Sequence, residues 1–131
     1  MLIDDIYKEY IYEIRVRNYT ERTIKGYKNN LNKFFAYCKN EHGLLEIEKI
    51  THIHIKQYLN QLKSRGLSES YINTILKNIR SFYAYCYKEE YCLNIAKKVE
   101  FLKEKTVLIN TFTEFNISRF SSLETLFNIF K

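Results

Sequence analysis

The sequence predicts an all-α fold: a compact four-helix bundle with a C-terminal helical extension. Three observations predict it. Apolar residues recur at steps of three and four through most of the chain. The periodic stretches are punctuated by Thr20, Thr51 and Ser68 in front and by Gly43 and Gly66 behind, the residues that start and stop helices. Strand signals are weak, with Thr106–Asn110 the single candidate.

The first helix is expected from about Ile3 to Val16. Ile3, Ile6, Tyr7, Tyr10, Ile11 and Ile14 form its apolar side. Asp4, Asp5, Glu9 and Glu13 lie on the other, which should face away from any polyanion. Thr20 caps a second helix with the stripe Ile24, Tyr27, Leu31, Phe34, Phe35 and Cys38, ended by a left-handed Gly43. Leu44, Leu45 and Ile47 read as an apolar connector tucked under the core. Thr51 caps a third helix with the stripe Ile55, Tyr58, Leu59 and Leu62, stopped at Gly66. Ser68 caps a fourth, expected to reach about Tyr91, with Ile72, Ile75, Leu76, Ile79, Phe82, Tyr83 and Cys86 inward. From Cys92 to Asn110 the pattern loosens into a basic connector. Thr111 and Glu114 then match a capping box that opens a last, aromatic helix.

The 131 residues suit one domain, able to bury roughly two-thirds of its unfolded surface. Three cysteines, an odd number with no Cys-x-x-Cys spacing, point to reduced buried thiols and a cytoplasmic protein. No apolar run approaches the ~18 residues of a membrane span, and the N-terminus has no secretory pattern. The formal charge of +6 is a modest basic excess.

How that charge is distributed says more than its total. The outer stripe of the second helix carries Arg22, Lys25, Gly26, Asn29 and Lys33. That of the fourth carries Ser70, Asn73, Thr74, Lys77, Ser81 and Lys88, with Arg80 at the flank. No acid occurs between Arg22 and Asn40, nor between Ser70 and Lys88. A solvated helix face ordinarily mixes both signs, because opposite charges three or four apart stabilise it. Cations, amides and hydroxyls without acids have the chemistry that holds phosphate and reads base edges. An Asn pairs with adenine through donor and acceptor together, and Arg80 suits a phosphate clamp. A helical glycine at position 26, which costs ~1 kcal/mol relative to alanine, lets another molecule approach the backbone.

His52 and His54 stand two apart, so their rings are expected to diverge as surface polar groups, with no metal site. His42 sits at a helix end, which favours its protonated form. The twelve tyrosines read as core and rim packing. No hydrolase elbow, phosphate loop, zinc spacing or paired carboxylates appear, so neither catalytic residues nor cofactors are expected.

The stretch from Arg17 to Tyr27 (Arg-Asn-Tyr-Thr-Glu-Arg-Thr-Ile-Lys-Gly-Tyr), with Leu31 and Phe34-Phe35, resembles the opening of the core-binding domain of tyrosine recombinases, the phage and transposon integrases. Ile50-Thr51, Ile55, Tyr58-Leu59 and Leu62 resemble its next helix. Gly66-Leu67-Ser68, Tyr71-Ile72-Asn73, Leu76, Ile79-Arg80 and Phe82-Tyr83 resemble the one after. The resemblance implies a SAM-like helical domain that forms half of a C-shaped clamp around a recombination site. Two helices, here those near 20–42 and 68–91, would cross the major groove. Carried over residue by residue, it implicates Thr23, Lys25, Gly26 and Asn29 on the first, and Ser70, Asn73, Thr74, Lys77, Asn78 and Ser81 on the second.

The resemblance divides the chain into a core-binding domain at 1–105 and, at 106–131, a linker and helix leading toward an absent catalytic domain. It implies duplex DNA as partner, other recombinase protomers in a longer parent, and no membrane. The parent would cleave and rejoin DNA with an arginine pair, a His-x-x-Arg element and a late tyrosine. This chain has no His-x-x-Arg, and Asn94 is followed by Ile95 where the family often has proline. The alternative is a helical protein–protein module that uses the basic faces and the aromatic C-terminal helix.

Overall fold

The computed structural model describes residues 1–104. It contains four α-helices: α1 (Ile3–Val16), α2 (Glu21–His42), α3 (His52–Ser64) and α4 (Glu69–Lys88). Short 3-10 turns at Ile47–Lys49 and Ile95–Lys98 follow α2 and α4. The candidate strand at Thr106–Asn110, the capping box at Thr111 and the last helix lie outside the described residues. Among the described residues the only β pairing is an isolated bridge from Leu2 to Glu46.

The caps sit where their chemistry requires. Thr20 Oγ1 accepts the N–H of Thr23 at 3.2 Å, and Ser68 Oγ accepts that of Tyr71 at 3.1 Å, so each helix start has one unpaired donor satisfied. Gly43 takes φ 64°, and the N–H groups of Gly43 and Leu44 return to the carbonyls of Lys39 and Cys38. The fourth helix ends earlier than its periodicity suggests. Glu90 adopts φ 63° and Tyr91 N–H turns back to Cys86 O at 2.8 Å, which closes α4 at Lys88 without a glycine.

α4 is the central element and packs against each of the other helices. Ile72, Leu76, Ile79, Phe82, Tyr83 and Cys86 are fully enclosed. Phe82 makes edge contacts with Tyr10 of α1 at 5.3 Å and Phe35 of α2 at 5.1 Å, while Phe34 of α2 meets Tyr58 of α3 at 5.3 Å. Glu9 of α1 accepts hydrogen bonds from Tyr85 and Tyr91 and ties α1 to the far end of α4. Ile47 is buried and Leu44 half-buried as expected of the connector, but Leu45 is exposed. Its carbonyl instead accepts the N–H of Ile3 at 3.0 Å. Cys38 and Cys86 are buried free thiols, with burial pushing Cys38 up to about 12.

The histidines depart from expectation. His54 Nδ1 accepts the N–H of Thr51 at 2.9 Å, so the ring is part of the α3 cap. It is half-buried, and its centroid lies 4.7 Å from that of His42 on α2. Burial first, and His42 second, hold its pKa below the usual imidazole value. Tertiary packing joined two rings that sequence spacing had treated separately. Among the described residues no group of three or more ligating side chains could hold a metal, and no helix is long and apolar enough to cross a membrane.

Candidate nucleic-acid interface

Only two polar residues are buried among the described ones, Asn30 and Asn78. They meet each other: Asn30 Nδ2 donates to Asn78 Oδ1 at 2.7 Å, between the middles of α2 and α4. Burying an amide without a partner is costly, so this pair pins one helix against the other at a defined register. Gly26 and Lys33 stand one helical turn either side of Asn30, and Thr74 and Ser81 one turn either side of Asn78. All four therefore border one seam between the helices.

On α2 the expected residues are available to a ligand. Arg22, Thr23, Lys25, Gly26, Asn29 and Lys33 are all exposed. Arg22, Lys25, Gly26 and Asn29 line an open depression of about 840 Å³ on the first half of the helix, with the Arg15–Glu21 ion pair (3.2 Å) at its lip. A Cβ at Gly26 would meet nothing within 4 Å, so internal packing gives no reason for a glycine there. Thr23 is partly committed to the helix start: it donates its N–H to the Thr20 hydroxyl and accepts that hydroxyl's proton at 2.9 Å.

The α4 face divides in two. Ser70, Thr74 and Lys77 are exposed; the Thr74 hydroxyl donates to the Ser70 carbonyl and keeps its acceptor capacity. Four other expected residues are engaged internally, which corrects the reading of one uninterrupted contact stripe. Asn78 is buried with Asn30 because it points into the α2–α4 contact. Ser81 is half-buried, 2.7 Å from the Tyr10 hydroxyl of α1. Asn73 and Arg80, on the opposite edge of α4, are bound to the connector that follows the helix: Asn73 to Leu102 and Glu104, and Arg80 to Val99 and Phe101.

The structure also adds residues. A groove of about 420 Å³ between α2, α3 and the start of α4 brings Lys33 together with Arg65 and Tyr71. Arg65 lies in the α3–α4 turn, outside any helical stripe, so periodicity had no means of selecting it. Tyr71 is exposed although aromatic, and the family resemblance included it without giving it a contact.

The scan of family models matches residues 6–93 to "Phage integrase, N-terminal SAM-like domain". That span includes α2, α3, α4 and most of α1. Comparisons with curated proteins and with solved structures return no match.

Proposed function

The chain belongs to the family of phage integrase N-terminal SAM-like domains, and from that membership we propose that it binds duplex DNA along the seam of α2 and α4. One observation carries the reading. α2 exposes Arg22, Lys25, Asn29 and Lys33 in a run free of acids, α4 exposes Ser70, Thr74 and Lys77, and the Asn30–Asn78 bond joins the two helices. Arg22, Lys25, Lys33 and Lys77 neutralise phosphates, with Arg65 at the end of the groove. Asn29, Ser70 and Thr74 have the donors and acceptors that contact base edges or phosphate oxygens, and Gly26 lets the duplex approach the backbone of α2.

In this reading residues 1–105 are the binding module, and 106–131 carry the chain toward a catalytic module that holds the cleaving tyrosine and its arginines. The chain itself grips DNA and breaks no bond; other recombinase protomers would share the site.

The test is the salt dependence of binding to a short duplex. With about six phosphate contacts, log affinity falls against log salt with a slope near −5, and binding is in the ~micromolar range at physiological salt. Salt-insensitive binding, or stronger binding to an acidic protein surface than to duplex DNA, would sink the proposal.

A further inference from the structure

Asn73 and Arg80 do not face an empty groove; they hold a peptide. Leu102 N–H donates to Asn73 Oδ1 at 2.7 Å, and Asn73 Nδ2 donates back to Leu102 O at 2.9 Å and to Glu104 Oε2 at 3.2 Å. Two turns further along α4, Arg80 Nη1 donates to Val99 O at 3.2 Å, and its guanidinium lies 4.9 Å from the Phe101 ring centroid. Positions seven apart share one edge of a helix. These contacts therefore strap residues 99–104 along α4.

The strap walls a groove. Between it and α3 lies a cavity of about 440 Å³, lined by Lys56, Asn60 and Lys63 of α3 and by Lys98 and Glu100 of the connector, with Leu102 among its apolar lining. Three ammonium groups stand against one carboxylate. From Lys49 to Ser68 the sequence contains no acid, so α3 offers nothing to neutralise them. Lys56 and Lys63 are separated by two helical turns, about 10.5 Å, and stand on one face of α3.

We infer that this groove is a second phosphate-binding surface for duplex DNA, and that Asn73 and Arg80 are positioning residues that build it by holding the connector against α4. The inference rests on the DNA-binding reading and deepens it. Asn73 then acts through the peptide it holds: its donor and acceptor, the pair that would recognise an adenine, are both occupied by Leu102. A peptide partner is anchored chiefly by apolar side chains in closed pockets. This groove is open and combines an apolar floor with three ammonium groups against one carboxylate, a charge excess that suits a polyphosphate backbone.

The experiment measures duplex affinity of the full chain by fluorescence anisotropy from about 50 to 300 mM salt. Lys63→Ala and Lys98→Ala each shallow the slope by about one unit. Asn73→Ala lowers it as much as Lys98→Ala, and the double variant loses no more than either alone, because both remove the same contact. Leu102→Pro, which deletes the N–H donated to Asn73 and leaves α4 untouched, reproduces the loss. Unchanged slopes for Lys63→Ala and Lys98→Ala, with a loss for Lys25→Ala, overturn the groove and leave the seam standing. If Lys25→Ala also changes nothing, the DNA-binding reading itself fails. A loss confined to Asn73→Ala and absent from Leu102→Pro makes Asn73 a direct contact and overturns its positioning role. Amide shifts at Lys56 and Lys63 with poly-glutamate but not with duplex assign the groove to an acidic protein and overturn it too.

Discussion

The outer faces of α2 and α4 are alike in carrying polar and cationic residues without acids, and they meet different fates. On α2, the side chains of Arg22, Lys25, Asn29 and Lys33 are exposed, and none is hydrogen-bonded to a described residue. On α4, Asn73, Asn78, Arg80 and Ser81 each bond to another element of the fold. Both helices pack against each of the others, but α4 alone of the two also has the connector along a further edge. Polar side chains at the edges of a hub helix meet protein before they meet a ligand. A polar stripe therefore stays open to a ligand only on a helix with a free flank.

The largest expected effect probes the bond between the two helices. Asn78→Leu leaves Asn30 buried without its partner and should cost about 1–3 kcal/mol in urea unfolding. Asn30→Leu with Asn78→Leu removes both amides and should recover most of that loss. Equal destabilisation by single and double variants would mean that packing volume, not the hydrogen bond, joins α2 to α4.

Next come the exposed cations of the two helices. Lys25→Ala on α2 and Lys77→Ala on the open part of α4 should each shallow the salt slope for duplex binding by about one unit, with folding intact. An unchanged slope for either removes that residue from the interface.

Gly26→Ala separates stability from binding on α2. The position is helical and open, so the substitution should stabilise the fold by about 1 kcal/mol, read as a raised urea midpoint. It should weaken duplex binding several-fold if the backbone is approached closely there. Tighter or equal binding would assign the glycine no role in contact.

The smallest expected effect is a pH dependence away from both faces. His54 has a folded-state pKa below its unfolded value, so the folded protein favours the neutral ring. That contribution is fully present above the unfolded value of about 6.5 and is lost as pH falls below it toward the folded value. Protonating Nδ1 also removes the acceptor for Thr51 N–H. The melting temperature should fall on acidification through this window, and His54→Gln should flatten the change. A wild-type profile identical to that of the variant would exclude the ring as its source.

Much of the fold was legible because the information is local. The caps at Thr20 and Ser68, the stop at Gly43 and the apolar stripes depend on residues within a turn or two of one another. The end of α4 was less legible, since Glu90 adopts a left-handed conformation that its side chain does not announce. The proposed interface rests on the same local information: an acid-free face is visible from spacing alone. The burial of Asn78 and the bonds of Asn73 to Leu102 could not be read, because an asparagine on a helix looks the same whether its amide faces water, another helix or a returning strap. Arg65 and the His42–His54 contact escaped because their partners are distant in sequence.

By itself, the order of residues determined the four amphipathic helices of the described residues, and the runs from Arg22 to Asn40 and from Ser70 to Lys88 that carry cations and amides without acids. Helical periodicity and capping act over a few residues, so they are written along the chain. Which of those polar groups remain free was decided only when α2, α3 and the connector closed around α4. Burial and hydrogen-bond pairing across tens of residues depend on where distant segments come to rest, and side chains of one type then divide between holding the fold together and facing outward.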